Sequence, residues 1–162
     1  METYHIINDD FLNLNDLWHI FSEQKKLKLS DDSREKIKKA RTYLDQKLQE
    51  SDRPFYGINT GFGALHNIKI DDDQINLLQE NLVKSHACGI GDPVPADIVK
   101  LMLLLKILNL SKGHSGVQVQ TVELLIHFYN HNIFPVVYKQ GSLGASGDLV
   151  PLAHLSLPLM GE

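Results

Sequence analysis

One cysteine, one tryptophan and no apolar run long enough to cross a bilayer set the first limits on this chain of 162 residues. Cys88 has no second thiol to pair with, so an internal disulfide is excluded, and the pattern is consistent with a reducing compartment. The longest apolar stretch, Ile98 to Leu110, is interrupted by Lys100 and Lys106 and falls short of the roughly 20 residues a spanning helix needs. The opening Met-Glu-Thr-Tyr-His lacks the basic and apolar regions of a secretory signal. Positive charge is scarce: 16 Lys and Arg face 20 Asp and Glu, a net charge of −4. With no basic patch interleaved with aromatics, that balance argues against a nucleic-acid partner. Together these absences predict a cytoplasmic protein with no membrane segment. Metal signatures are thin as well. His127 and His131 have the i, i+4 spacing that some metal sites use, but no third ligand accompanies them, so they are read as a surface pair.

What is present suits a globular domain. Hydrophobic residues make up 43% and charged residues 22%, and the length is enough to bury a core. The periodicity predicts a mainly helical chain with a few short strands. Tyr4 to Ile7 is expected as a strand, followed by a helix over about Asn15 to Gln24. Ser30 or Asp31 caps a longer helix with Ile37, Ala40, Leu44 and Leu48 on one face. Asp71 to Asp73 open another helix, placing carboxylates at its positive end, and it runs to about His86. Pro95 suits the first turn of the apolar helix that follows, where Ile98, Leu101, Met102, Leu105 and Leu108 are expected to form a wide buried stripe that Leu103 and Leu104 extend round much of the circumference. Gly113 stops it, Ser115 or Gly116 starts a further helix to about Asn130, and Val136 to Tyr138 is expected as a strand.

The segment Gly141 to Ser156 carries the chemistry. Within it, Ala145-Ser146-Gly147 can make an electrophile from its own backbone. The Gly147 nitrogen attacks the Ala145 carbonyl carbon and closes a five-membered ring. Loss of water from the ring, and of a second water from Ser146, leaves a methylidene-imidazolone. Glycine is needed at the attacking position for the tight approach, and serine supplies the β-hydroxyl that leaves. A plain reading of the same residues is a glycine-rich turn opening a helix, with Asp148 as its cap. Two further segments attract attention. Tyr56-Gly57-Ile58-Asn59-Thr60-Gly61-Phe62-Gly63 places a tyrosine among three glycines, as in a mobile active-site loop, and no Gly-Lys-Ser/Thr follows to make it a phosphate loop. Ser85-His86 precedes Cys88 and Gly89. Cys88 has no oxyanion hole that would make it a nucleophile, and His66 is read as a loop histidine.

These three segments resemble the aromatic amino-acid ammonia-lyase family. Gly141, Ser142, Leu143, Gly144, Ala145, Ser146, Gly147, Asp148, Leu149, Pro151 and Leu152 fall where that family's signature wants them. The resemblance implies the fold of an ammonia-lyase N-terminal part: helices, a few short strands and an active-site loop, normally completed by a long central helical bundle. Residues 1–162 are then expected to be a single N-terminal region, cut just after the signature. It implies an electrophile formed from Ala145, Ser146 and Gly147 with no external cofactor, Tyr56 as the catalytic base, and His86 as the group that binds the substrate side chain. A Ser-His pair at positions 85 and 86 points to L-histidine as substrate, with trans-urocanate and ammonium as products; an imidazole pairs well with another imidazole. Two alternatives stand beside this: a tyrosine or phenylalanine lyase or aminomutase on the same scaffold, and an inactive fragment of such an enzyme. The resemblance also implies a homotetramer whose active sites draw on several subunits.

Overall fold

The computed structural model describes residues 3–51, 53–63, 70, 72–143, 145 and 147–162. Ser146, His66 and Asp71 lie outside the described residues. The chain divides into two compact units, Met1–Lys47 with Pro95–Phe134, and Leu48–Val94 with Pro135–Glu162.

The first unit begins with a strand–helix–strand crossover. Strand β1 (Tyr4–Ile7) pairs in parallel with β2 (Lys26–Leu29), Tyr4 opposite Lys26 and Ile7 opposite Leu29. Between them runs α1 (Leu14–Ser22), started by a reciprocal cap. The Asn13 side chain accepts from the Asn15 and Asp16 amides, and the Asp16 carboxylate accepts from the Asn13 amide at 2.9 Å. Helix α2 (Asp31–Glu50) follows, with the Ser30 hydroxyl accepting from the Ser33 amide and Asp31 and Asp32 in the first turn. Helices α4 (Ala96–Leu110) and α5 (Val119–Asn130) complete the unit. The Asn130 side chain bonds both the amide and the carbonyl of Leu27, tying the end of α5 to β2.

The buried face of α4 includes the expected Leu103 and Leu104 but is otherwise displaced from the predicted stripe. Val99, Leu103, Leu104, Ile107 and Leu110 are buried, whereas Ile98 and Leu105 are 46% and 47% exposed. In a helix apolar on nearly every side, periodicity does not pick the inward face, and the neighbours do. Helix α5 starts later than predicted. Gly113 and Gly116 both take positive φ, +72° and +67°, and the chain stays irregular until Gln118. Gly113 has no room for a side chain, since a Cβ there would lie 2.8 Å from the Lys36 backbone.

Tyr129 of α5 is 1% exposed, and its hydroxyl has no hydrogen-bond partner among the described residues. Desolvation pushes its pKa up to about 12. Tyr129→Phe is therefore expected to hold or raise stability, by up to about 1 kcal/mol, because it removes an unpaired buried hydroxyl and keeps the ring. Urea denaturation of the two proteins checks it, and a clear loss of stability in the variant would show that the hydroxyl is paired.

In the second unit a 3₁₀ turn, Asp72–Gln74, leads into α3 (Ile75–His86). Strand β3 (Ile90–Pro93) pairs antiparallel with β4 (Tyr138–Gln140), Ile90 opposite Gln140 and Pro93 opposite Tyr138, with an irregularity between them. The Val94 amide donates to the Val137 carbonyl at 2.7 Å. The strand predicted at Val136 to Tyr138 thus begins at Tyr138. Its partner Ile-Gly-Asp-Pro carries no alternation that would mark a strand. Helix α6 (Leu149–Ser156) and a 3₁₀ turn, Leu157–Met160, close the chain. Among the described residues no helix is long and apolar enough to cross a membrane.

Candidate active site

Three segments of the second unit build the site, beginning with the loop around Tyr56. Asn59 is its hub: the side-chain oxygen accepts from the Phe55 amide at 2.6 Å, and the side-chain nitrogen donates to the Arg53 carbonyl at 3.2 Å. The Ile58 and Asn59 amides both return to the Phe55 carbonyl, closing a tight turn over Tyr56. Gly57 takes φ +69°, and a Cβ there would lie 2.9 Å from the Phe62 ring, so glycine is required on both counts. Gln79 of α3 donates to the Ile58 carbonyl at 2.9 Å, which ties the turn to that helix. Asn59 and Thr60 are buried, while Tyr56 is 64% exposed with its ring tilted against Phe62, centroids 5.7 Å apart. A buried polar hub thus presents an exposed phenol.

At the end of α3, Ser85 and His86 are held by the last turn of the helix. The Ser85 hydroxyl donates to the Leu82 carbonyl at 3.1 Å, and His86 Nδ1 meets the same carbonyl at 2.7 Å. A carbonyl only accepts, so Nδ1 carries the proton, and in the neutral tautomer that this fixes, Nε2 is the acceptor. Phe62 meets the His86 ring edge to face at 5.4 Å. Phe62 therefore touches both Tyr56 and His86.

The signature segment supplies the third part. Gly141 has φ +124°, and a Cβ there would come within 3.1 Å of the Gly89 Cα. Gly147 takes φ +78° and Asp148 φ +59°, two successive left-handed residues that swing the chain into α6. Aspartate is one of the few L-residues that tolerate this conformation. Asp148 occupies the cap position of α6, yet its carboxylate makes no hydrogen bond to the helix amides and instead accepts from the Ser142 hydroxyl. The carboxylate cap expected from the sequence is thus replaced by a bond within the loop. Ala145 is exposed.

A cavity of about 160 Å³ joins these parts. Phe62 comes from the tyrosine loop, His86 with Gln79, Leu82 and Val83 from α3, and Leu149, Leu152, Ala153 and Ser156 from α6. The structure therefore brings His86 together with the helix that Gly147 and Asp148 lead into, and sets Tyr56 one ring away through Phe62. Tyr56 does not itself line the cavity. Sequence reasoning missed Phe62, Gln79 and His154. Phe62 sat inside a quoted motif as an ordinary aromatic, and Gln79 and His154 carry no local signal. His127 and His131 belong to the other unit. Their rings lie 4.1 Å apart, with His131 Nδ1 at 2.9 Å from the His127 carbonyl. Among the described residues no group of three or more His, Cys, Asp or Glu is placed to hold a metal ion.

Known proteins share this fold and much of this sequence. Histidine ammonia-lyase from Deinococcus radiodurans is 50% identical over 156 residues, which is 96% of this chain and 30% of that protein. Ergothionase from Treponema denticola superposes with a TM-score of 0.91 at 31% identity, over 98% of this chain and 32% of its own. Histidine ammonia-lyase from Trypanosoma cruzi does so with a TM-score of 0.83 at 32% identity, over 99% of this chain and 30% of its own. The chain thus spans about 30% of the length of the curated relatives it matches. The match to the aromatic amino acid lyase family runs over residues 12–162, so that the chain belongs to this family.

Proposed function

We propose that this chain is the N-terminal region, residues 1–162, of an ammonia-lyase that converts L-histidine to trans-urocanate and ammonium. The observation that carries the reading is a cavity shared by Phe62, His86 and the first turns of α6, directly after the Ala145–Gly147 tripeptide. Residues from three separate motifs converge on a space of about 160 Å³, which suits contact with a small side chain. The histidine ammonia-lyases of Deinococcus radiodurans and Trypanosoma cruzi support the same substrate by their similarity.

The tripeptide fits the formation of a methylidene-imidazolone. Gly147, whose nitrogen would close the ring, sits at φ +78°, and a Cβ there would meet nothing within 4 Å. Backbone conformation rather than crowding is what calls for glycine at this position. When formed, the group supplies an electron sink for departure of the α-amino group. Ser146 provides the hydroxyl lost in its making. Tyr56 takes the proton from the substrate β-carbon, acting from the exposed turn that Asn59 organises. His86 holds the substrate imidazole: its Nδ1–H is committed to the Leu82 carbonyl, so Nε2 accepts the substrate ring N–H. Asp148, whose carboxylate accepts from the Ser142 hydroxyl, takes and gives protons during dehydration of the ring.

A cytoplasmic location and a homotetramer complete the proposal, the latter in keeping with the partly exposed Ile98 and Leu105 on α4. The test is the mass of the tryptic peptide Gln140–Glu162. A deficit of two waters localised to Ala145–Gly147 is expected, and an unmodified mass counts against an electrophile in this chain. For the substrate, histidine and tyrosine are fed separately to a whole enzyme bearing this sequence. Urocanate absorbance is expected from histidine, whereas coumarate from tyrosine would overturn the choice.

A further inference from the structure

The Gly89 amide donates to Nε2 of His154 at 2.9 Å. His154 lies on α6, is 7% exposed, and meets the Tyr138 ring edge-on at 5.3 Å and 75°. Gly89 follows shortly after His86, on the chain leaving α3. It is enclosed from two sides. A Cβ on Gly89 would lie 2.9 Å from His154 Nε2 and 3.2 Å from Tyr138 Cβ, and a Cβ on Gly141 would lie 3.1 Å from the Gly89 Cα. The chain after α3 is thus threaded between the first glycine of the signature and an imidazole of the helix that follows it. The proposed chemistry makes no use of this histidine.

We propose that His154 is a positioning residue: as a neutral imidazole it clasps the chain leaving α3 to α6, and so sets the spacing of His86 from Leu149 and Leu152 across the cavity. Its meaning for catalysis rests on the function proposed above; the clasp itself does not. Accepting at Nε2 requires a neutral ring with the proton on Nδ1. Protonation at Nε2 would turn that atom into a donor facing the Gly89 N–H, and the bond would be lost. Burial holds the His154 pKa below the ordinary histidine value; Tyr138 of β4 is the titratable group against the ring, and no charged side chain from α3, β3 or β4 contributes to the shift. The sign follows. Folding holds the proton off His154, so the clasp is intact above the ordinary histidine range and is lost as pH falls through the lowered folded value.

The test is amide hydrogen exchange and NMR titration of the 162-residue chain as wild type, His154→Gln and His154→Leu. The glutamine Oε1 can accept where Nε2 did. At neutral pH the Gly89 protection factor is expected to be about tenfold higher in wild type and His154→Gln than in His154→Leu. On acidification below the ordinary histidine range the wild type should fall to the leucine value while the glutamine variant keeps its protection. The His86 ring resonances should shift along with Gly89. Equal protection in all three proteins at neutral pH would overturn the proposal. So would wild-type protection that does not change with pH, or a Gly89 titration that leaves His86 unmoved. The peptide mass measured on the same samples separates the two readings: an unmodified mass speaks against the electrophile alone and leaves the clasp to be judged by exchange.

Discussion

Ser146→Ala is expected to leave the Gln140–Glu162 peptide at its unmodified mass and to lower turnover by about 10³-fold or more. Turnover is read in a whole enzyme bearing this sequence, since the chain spans about 30% of its relatives' length. The effect is large because alanine has no β-hydroxyl to lose, so the exocyclic alkene cannot form even if the backbone ring closes. No ordinary side chain offers an equivalent electron sink, and the neighbouring groups bind and orient without replacing it. The variant should still fold. Alanine is conformationally similar to serine, and the described residues on either side are set by Gly141, Gly147 and the Ser142–Asp148 bond. A variant that turns over as fast as wild type would remove the electrophile from the mechanism. A variant that loses both activity and cooperative melting would locate the fault in folding, and the mass of the wild-type peptide would then decide.

Tyr56→Phe is the second large effect, a fall in kcat of about 10²- to 10⁴-fold with little change in thermal stability. The phenol is 64% exposed, and its ring contact with Phe62 is one that phenylalanine keeps. The turn is held by Asn59, Thr60 and Gln79, none of which needs the hydroxyl. What disappears is the group proposed to remove the β-proton. KM for histidine should change little, because His86 rather than Tyr56 holds the imidazole in this scheme. A matching rise in KM with kcat intact would assign Tyr56 to binding instead of proton transfer.

Some of this was legible in the sequence for reasons that remain local. The Tyr4–Ile7 strand, the α2 helix with its Ser30 start and the α4 helix after Pro95 follow from patterning and capping within a few residues. The cyclisation proposed for Ala145-Ser146-Gly147 is local too, since all the atoms it would use lie in adjacent residues. Where patterns are weak, the expectations drifted. Helix α4 is apolar around most of its surface, so its inward face could be named only once α5 was packed against it. The pairing of Ile90 with Gln140 joins segments far apart in the chain, and neither carries a strand pattern of its own.

The site divides along the same line. By itself the sequence determined which residue types could do the chemistry: a tripeptide able to cyclise, a tyrosine among glycines and a Ser-His pair. Those properties reside in single side chains and adjacent backbone. The tertiary structure alone decided that Phe62 touches both Tyr56 and His86, that Gln79 ties the tyrosine turn to α3, and that His154 receives the Gly89 amide. Each of these contacts joins residues distant in sequence or selects one side chain among several equally plausible ones. The proton on His86 shows the same division. The sequence supplies the imidazole, but only the folded end of α3 places the Leu82 carbonyl against Nδ1 and so puts the proton on that nitrogen.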